Sequence, residues 1–328
     1  GTGKTYWARI SAQELAAHRA YGQSYDRLSK EQKNEILVAS AATGSLVRVC
    51  TFHPAYGYED FIEGYRPETT TGEQLTFERR EGIFKSLCED ARTHSEQNYY
   101  LIIDEINRGD IPRIFGELLT VVERDKRGQP ILLPLSGETF SVPENVYIIG
   151  TMNTADRSIA LLDTALRRRF GFIELMPDSA VLSSAVVGNT IPLGKWLNEL
   201  NSSILIHIGR DARNLQIGHA YLLERGRPVT DMDRFVRILQ DDIVPLLQEY
   251  CYEDYAALSS ILGNTLVDRE QQIIRHDLFR PERRDDLLAA LGEQWPELIA
   301  SADVVASEAD TEELEQSEDD EVEEDLPE

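Results

Sequence analysis

The sequence has little cysteine, little basic charge and no long apolar run. Its three cysteines, Cys50, Cys88 and Cys251, are odd in number and share no metal-ligand spacing, so we expect buried, reduced thiols in a cytoplasmic protein. No window approaches the roughly 18 consecutive apolar residues of a membrane helix, and no signal-peptide pattern stands at the start. We therefore expect no membrane partner.

Acidic residues outnumber basic ones, with 58 Asp and Glu against 33 Lys and Arg and a formal net charge of −25. Thirteen of the acidic residues lie between Glu308 and Glu328, where there is no basic residue. Such a run cannot bury enough apolar surface to offset its ordering entropy, so we predict a disordered acidic tail over 303–328. The acidic excess also argues against DNA binding by this chain alone, because phosphate neutralisation needs clustered Lys and Arg.

The first half of the sequence has the pattern of an α/β domain. Short apolar runs rich in β-branched and aromatic residues predict buried strands of a parallel sheet at Leu46–Phe52, Tyr99–Asp104, Val146–Thr151 and Phe170–Leu175. Helical spacing of apolar residues predicts a helix over Ile111–Arg124. Turn residues between short apolar runs predict two β-hairpins, at 66–79 and 131–142. We assign 1–176 to this domain.

Past Pro177 the pattern becomes helical. Apolar residues repeat at helical spacing over Leu193–Ile206, Arg234–Tyr250 and Tyr255–Leu262, with Pro245 as a kink or a helix start. We predict a mostly α-helical second domain over 177–302.

The sequence begins within a phosphate-binding motif. Gly1-Thr2-Gly3-Lys4-Thr5 matches the second half of G-x-x-x-x-G-K-[ST]. The glycines let backbone N–H groups point at phosphate oxygens, Lys4 reaches the β- and γ-phosphates, and the Thr5 hydroxyl ligates Mg²⁺. Five residues are weak evidence alone, so the prediction of a nucleotide site depends on partner residues further along the chain.

Two carboxylates, Asp104 and Glu105, follow the apolar run that ends at Ile103. The carboxyl ends of parallel strands form the ligand-binding edge of such a sheet. Hydrolysis of a nucleoside triphosphate needs a Mg²⁺ partner and a group that orients or deprotonates water. We assign the first task to Asp104 and the second to Glu105; the alternative is that both cap the next helix.

The next predicted strand runs into a polar turn that contains Asn153 and Asp156. An asparagine at the tip of a strand beside the Mg²⁺ strand can hydrogen-bond the attacking water and a γ-phosphate oxygen, and we predict this role for Asn153. Asp156 either holds Asn153, holds an arginine of a neighbouring subunit, or serves as a helix N-cap.

Three consecutive arginines, Arg167, Arg168 and Arg169, precede the last predicted strand. They cannot share one helix face, so at least one must point away from its own domain. An arginine donated across a subunit boundary stabilises charge developing on a γ-phosphate. We predict this role for Arg168 or Arg169; the alternative is that they pair with surface carboxylates.

Together these motifs resemble the AAA+ motor subunits of methylcytosine-dependent restriction systems, the McrB type. The resemblance rests on the half phosphate loop and on four strings: L-I-I-D-E-I-N-R (101–108), V-Y-I-I-G-T-M-N-T-A-D-R-S (146–158), A-L-R-R-R-F (165–170) and T-F-H-P-A-Y-G-Y-E-D-F-I-E-G-Y-R-P (51–67). I-G-H-A-Y (217–221) and D-I-V-P-L-L-Q-E-Y (242–250) extend it into a helical lid.

The resemblance implies an α/β AAA+ P-loop NTPase with a parallel sheet of order 5-1-4-3-2, its first strand missing before Gly1, and an α-helical lid. It implies a hexameric ring that hydrolyses GTP and translocates DNA, stimulated by a nuclease subunit of the McrC type. DNA would be held by a domain before the phosphate loop or by the ring pore. Asp104 and Glu105 would be the Walker B pair, and Asn153 and Asp156 the signature pair.

Other interpretations remain open. No N-K-x-D element supports guanine recognition, so ATP is an alternative to GTP, and Gln216 stands where a lid cation is expected. A MoxR-like or dynein-related ATPase that remodels protein complexes also carries D-E-I-N-R. A nucleotide-locked scaffold is the non-enzyme alternative, against which the four intact residues Asp104, Glu105, Asn153 and Arg168 argue.

Overall fold

The computed structural model describes residues 1–37, 44–69, 75–153, 167–209, 211–252 and 254–298. Two compact units divide the chain: Lys4–Glu174 form the first, and Gly1–Gly3 group with the residues from Leu175 onward in the second. Asp156 and the predicted acidic tail lie outside the described residues. The domain limits drawn from the sequence stay predictions.

The first unit is an α/β domain. Its helices are α1 (Lys4–Tyr21), α2 (Lys30–Ile36), α3 (Tyr58–Phe61), α4 (Ile83–Thr93), α5 (Ile111–Phe115) and α6 (Leu118–Val121). Its strands are β1 (Val47–Thr51), β2 (Glu63–Thr69), β3 (Leu75–Glu81), β4 (Tyr99–Asp104), β5 (Ile131–Leu132), β6 (Thr139–Phe140) and β7 (Val146–Gly150).

A parallel sheet of β1, β4 and β7 forms the centre of this unit, with β4 in the middle. Residues 99–103 of β4 are buried, as expected for a strand covered on both faces, and Asp104 at its end is partly exposed. The register pairs Thr51 with Asp104 and Ile103 with Gly150. The predicted parallel sheet and its neighbour order are confirmed for these three strands.

The fourth predicted strand, Phe170–Leu175, is wrong. The segment has no strand pairing, and Phe172 and Ile173 are 50% and 88% exposed. The predicted order places a strand that would precede Gly1 between this segment and β7. In the described part of the chain, no strand pairs with the segment.

The helix predicted over Ile111–Arg124 is broken into α5 and α6. Gly116, which follows α5, has φ of 51° and ψ of −131°, a non-helical conformation that glycine adopts at low cost. Its N–H still bonds to the carbonyl of Pro112 at 2.9 Å, which completes the last turn. The predicted apolar face is nonetheless buried, since Ile114, Phe115 and Leu118 are inaccessible to solvent.

Both predicted hairpins are confirmed. β2 and β3 pair antiparallel from Glu63 with Glu81 to Thr69 with Leu75, a longer ladder than predicted. β5 and β6 pair over two residues each, around a turn in which Gly137 has φ of 70°.

A buried ion pair joins the two hairpins to α4. The Lys85 ammonium lies 3.1 Å from Glu63, and both side chains are almost inaccessible to solvent. Lys85 also lies 2.7 Å from Glu138, which in turn pairs with Arg79 at 2.5 Å. The second oxygen of Glu63 accepts the N–H of Ser136 at 2.9 Å. The base of the first hairpin, the turn of the second and α4 therefore share one polar network.

In the second unit, helices pack around Trp196. The helices are α7 (Leu193–His207), α8 (Met232–Arg237), α9 (Val244–Cys251), α10 (Tyr255–Leu262) and α11 (Arg284–Gln294), and α8 continues through a π-helical stretch, Ile238–Ile243, into α9. Three short antiparallel ladders connect them: β8 (Val186–Val187) with β9 (Ile191–Pro192), β10 (Leu223–Glu224) with β11 (Arg227–Pro228), and β12 (Val267–Asp268) with β13 (Ile273–Ile274). The centre of the Trp196 ring lies 5.0 Å from that of the Phe235 ring and 6.1 Å from that of the Trp295 ring.

The helical segments predicted past Pro177 are confirmed. Pro245 lies in the first turn of α9, directly after the π-helical stretch, and has no N–H to donate within the continuous helix. The preceding turn is widened, because the N–H of Val244 bonds to the carbonyl of Leu239 five residues back.

The three cysteines are free thiols, Cys88 and Cys251 buried and Cys50 partly buried. Burial raises the pKa of Cys50 to about 12 and that of Cys251 to about 11, so both stay protonated and unreactive at neutral pH. Among the described residues, no helix is both long enough and apolar enough to cross a membrane.

Replacing Lys85 by methionine should leave the Glu63 carboxylate buried without its cation. Removing one partner of a buried pair costs about 3–5 kcal/mol, which urea denaturation would measure as a lower midpoint. Lys126→Met is the matched control, because its ammonium pairs with Glu123 at 2.8 Å on the surface and such pairs contribute below about 1 kcal/mol. Equal losses in the two variants would contradict a central role for the buried pair.

Candidate active site

The phosphate-loop threonine and the first carboxylate after β4 meet in the structure. Thr5 Oγ1 donates a hydrogen bond of 2.7 Å to Oδ1 of Asp104, across 99 residues of sequence. Thr5 lies in the first turn of α1, and Asp104 ends the central strand of the sheet. Two motifs predicted separately from the sequence therefore belong to one site.

The start of α1 suits an anion. The first four N–H groups of a helix have no partner within it, and they carry a partial positive charge. No acidic residue lies in the first turn of α1, which begins at Lys4. Gly3, directly before it, has φ of 74°, which lets the backbone turn into the helix. These are the features by which helix starts bind phosphate.

A second hydroxyl, that of Thr151, also donates to Oδ1 of Asp104. Thr151 is 8% exposed and follows β7 directly. In the sequence it falls at the end of the strand predicted over Val146–Thr151, where no role is predicted for it. Its position two residues before Asn153, at the end of the strand next to β4, was the available signal.

Glu105 adopts a left-handed conformation, with φ of 53° and ψ of 44°. That conformation costs a residue other than glycine about 1–2 kcal/mol. It turns the chain sharply after β4 into a short 3₁₀ turn. The Glu105 carboxylate accepts a hydrogen bond of 3.1 Å from Nε of Arg108, a residue that sequence reasoning left without a role.

Asn107 joins the two loops that follow β4 and β7. Its Nδ2 donates to the carbonyl of Asn153 at 3.2 Å. Its buried Oδ1 has no hydrogen-bond partner among the described residues. The structure thus brings the backbone of Asn153 to the Asp104–Glu105 loop, while the role predicted for the Asn153 side chain stays a prediction. Asp156, its predicted companion, lies outside the described residues.

The three arginines occupy different environments. The Arg167 guanidinium lies 6.0 Å from the centre of the Phe172 ring. Arg168 is exposed, and no ion pair is recorded for it with any described residue. The Nε of Arg169 lies 3.0 Å from Glu123, within its own unit. Arg169 is thus paired with a carboxylate of its own unit, which is the alternative to a trans-acting role.

In the second unit, the first residues of the phosphate loop contact the I-G-H-A-Y segment. The N–H of Ala220 donates to the carbonyl of Gly1 at 3.0 Å. A Cβ added to Gly1 would stand 2.9 Å from the Tyr221 ring, and one added to Gly218 would stand 1.9 Å from the carbonyl oxygen of Gly1. Close packing against backbone therefore requires glycine at 218, whereas a Cβ at Gly1 would press on a side chain.

Buried polar contacts hold this segment. The Asn201 side chain donates to the carbonyl of Ile217 at 2.9 Å and accepts its N–H at 2.7 Å. Nδ1 of the buried His219 accepts the N–H of Asp178 at 3.0 Å. Burial lowers the pKa of His219, against a smaller opposing effect of Asp178, so the imidazole is neutral at pH 7.

The oxygen atoms at the end of β4 fit Mg²⁺. This ion usually takes one or two protein oxygens together with substrate phosphates and water. Thr5 and Asp104 supply a hydroxyl and a carboxylate in mutual contact, in front of a helix start suited to phosphate. No cluster of three or more His, Cys, Asp and Glu that could hold a metal occurs in the part of the chain that the structure describes.

Two family models match the chain. One, described as an AAA domain of the dynein-related subfamily, matches residues 34–170. The other, described as the McrB α-helical lid domain, matches residues 192–259.

Two curated proteins are similar to it. The Type IV methyl-directed restriction enzyme EcoKMcrB subunit of Escherichia coli (strain K12) is 41% identical over an alignment covering 63% of this chain and 48% of that protein. The Type II restriction enzyme BsuMI component YdiS of Bacillus subtilis (strain 168) is 29% identical, covering 37% of this chain and 46% of that protein. The chain thus spans about half the length of these relatives.

With the phosphate loop in contact with the carboxylate of its central strand, the chain is an AAA+ P-loop nucleoside triphosphatase whose parallel sheet is followed by a helical lid. The lid match and the 41% identity to the E. coli subunit support an McrB-type AAA+ protein. The fold class and the resemblance predicted from the sequence are confirmed.

Replacing Gly218 by alanine should displace Gly1, because the new methyl group would meet rigid backbone there. Overpacking of this kind costs about 1–3 kcal/mol, so we expect a lower melting temperature and weaker nucleotide binding. Gly209→Ala is the control, since nothing lies within 4 Å of its added Cβ. If the two variants melt and bind a fluorescent nucleotide alike, the segment does not hold the loop.

Proposed function

We propose that this chain is the motor part of a restriction system, a ring-forming AAA+ protein that hydrolyses GTP or ATP to drive DNA translocation. The observation that carries the proposal is the 2.7 Å hydrogen bond between Thr5 and Asp104, which joins a phosphate loop to the end of the central strand. Phosphoryl transfer to water depends mainly on positioning and on electrostatic stabilisation. The site supplies residues for both.

The phosphates lie against Gly1, Thr2, Gly3, Lys4 and Thr5 in this proposal. Backbone N–H groups at the start of α1 bind phosphate oxygens, and the Lys4 ammonium adds a full positive charge. Mg²⁺ is held by the Thr5 hydroxyl, with Asp104 as its carboxylate partner. When bound, the ion neutralises negative charge that develops on the phosphate oxygens.

Glu105 is the proposed general base. Its left-handed backbone places it immediately past the metal carboxylate, at the strand end where a water must be activated. The Arg108 guanidinium, 3.1 Å away, keeps the carboxylate in a defined orientation. A positioned base of this kind contributes about 10²–10⁴-fold to the rate.

Asn153 and Asp156 complete the site in this proposal. Asn153 hydrogen-bonds the attacking water and a γ-phosphate oxygen, and the support for this is that Asn107 ties its backbone to the loop of Glu105. Asp156 holds Asn153 or a neighbouring subunit's arginine.

Arg168 is the proposed residue that acts on a neighbouring subunit. It is exposed, whereas Arg169 is paired with Glu123 in its own unit. We assign the trans-acting role first to Arg168, with Arg169 second. This role requires a homo-oligomeric ring, for which we propose six subunits.

The relatives favour restriction over the remodelling of protein complexes. Both curated proteins are named as components of restriction enzymes, and the lid matches the McrB lid. We therefore propose a nuclease subunit of the McrC type as partner. DNA would be contacted in the ring pore or by a further domain of the full-length protein.

Glu105→Gln should keep nucleotide and Mg²⁺ binding and lose hydrolysis by at least about 10²-fold, because only the water-activating charge is removed. Phosphate release by the full-length protein, with GTP and ATP side by side, measures turnover and base preference together. Glu144→Gln, an exposed change in the same unit, is the matched control. Turnover by Glu105→Gln within about tenfold of the parent would exclude Glu105 as the base.

Arg168→Ala should abolish turnover, since such arginines contribute about 10³–10⁵-fold where measured. Mixing it with Glu105→Gln subunits should restore activity, because the Glu105→Gln subunit donates its Arg168 to a neighbour with an intact base. Arg167→Ala should retain activity without mixing. No recovery at any mixing ratio would show that Arg168 acts within its own subunit or only in folding.

A further inference from the structure

The N–H, the carbonyl and the hydroxyl of Thr151 all hydrogen-bond to the segment 103–106, which contains the end of β4 and the turn after it. Its N–H donates to the carbonyl of Ile103 at 2.9 Å, and its carbonyl accepts the N–H of Ile106 at 2.9 Å. Its hydroxyl donates to Oδ1 of Asp104 and accepts the N–H of Glu105 at 3.4 Å. One buried residue, directly after the neighbouring strand β7, thus contacts all four consecutive residues.

The two backbone bonds bracket the left-handed residue. They fix the chain just before and just after Glu105, whose φ of 53° is unfavourable for any residue with a Cβ. Such conformations persist where the surrounding structure over-determines them. Any residue at position 151 other than proline could make these two backbone bonds, so they do not require threonine there.

The hydroxyl has a separate effect on Asp104. A hydroxyl has one donor, and here it is directed to the same carboxylate oxygen that accepts from Thr5. Two donors, one from the first turn of α1 and one from the residue directly after β7, fix the rotation of the carboxylate. They also leave its second oxygen, Oδ2, out of these two bonds.

We propose that Thr151 is a positioning residue, whose hydroxyl orients the Asp104 carboxylate for Mg²⁺ and supports the turn that carries Glu105. The inference rests on the proposed function, because it assigns Asp104 to the metal. Residues that orient a metal ligand affect metal affinity or activity by about 10- to 100-fold when they are changed. The hydroxyl is therefore expected to tune the Mg²⁺ dependence of nucleotide binding.

The test is Thr151→Val, which keeps the shape of the side chain and removes the hydroxyl. Binding of fluorescent GDP and ADP to the full-length protein is titrated in EDTA and at rising MgCl₂. Affinity in EDTA should stay within about twofold, while the Mg²⁺ concentration for half-maximal tightening should rise about 10- to 100-fold. Turnover at low Mg²⁺ should fall and recover in part at high Mg²⁺.

A second pair of variants keeps the test valid if the valine variant folds poorly. Thr151→Ser and Thr151→Ala both lack the methyl group and differ only in the hydroxyl. The serine variant should keep the parent Mg²⁺ dependence, and the alanine variant should reproduce that of valine. A melting scan of all four proteins separates loss of structure from loss of metal response.

The outcomes separate this inference from the function on which it rests. If the parent protein shows neither Mg²⁺-dependent nucleotide binding nor turnover, the proposed function itself fails. If the parent shows both and the hydroxyl-free variants keep its Mg²⁺ dependence, the positioning role is overturned. A lower melting temperature with an unchanged Mg²⁺ dependence would reduce Thr151 to a structural residue.

Discussion

The hydrogen bond between Thr5 and Asp104 can form only if β4 keeps its register in the sheet. A slip of one residue would reverse the direction of every side chain on the strand. The buried run from Tyr99 to Ile103 opposes such a slip, because a shift by one residue would either bury the Asp104 carboxylate or expose an apolar residue at the end of the strand. The hydrophobic packing of the central strand thus determines where the carboxylate meets the phosphate loop. The chemistry proposed at this edge depends on that packing.

Much of the fold could be predicted from the sequence, because short stretches of it have the apolar pattern of the central strands and of the lid helices. β4, β7 and α10 follow from apolar runs or helical spacing alone. The strand predicted at Phe170–Leu175 failed since strand pairing is not local: the residues are suitable, but no described strand is available beside them. Gly116 shows a different limit. A glycine within a helical pattern is often tolerated, and only the observed φ of 51° shows that it ends the helix.

Some residues of the candidate site could likewise be predicted from the sequence, and others could not. Asp104 and Glu105 could be predicted, because phosphoryl chemistry requires carboxylates at a strand end and few other residue types serve. Thr151 was missed because threonine is an ordinary residue of strands, and its role appears only when β7 lies beside β4. Lys85 was missed for a related reason. A lysine in a helical pattern is expected to be exposed, and only the structure shows that Lys85 is buried against Glu63.

The three arginines show why a charge pattern alone does not assign a role. In sequence, Arg167, Arg168 and Arg169 are equivalent cations. In the structure, Arg169 lies beside Glu123, and the nearby cations Lys126 and then Arg169 lower the pKa of that carboxyl. A cation held in this way must break its pair before it can act elsewhere, and the cost of that break opposes a trans role. The exposed Arg168 makes no such pair with any described residue, so the same sequence pattern yields one arginine anchored in its own unit and one exposed to solvent.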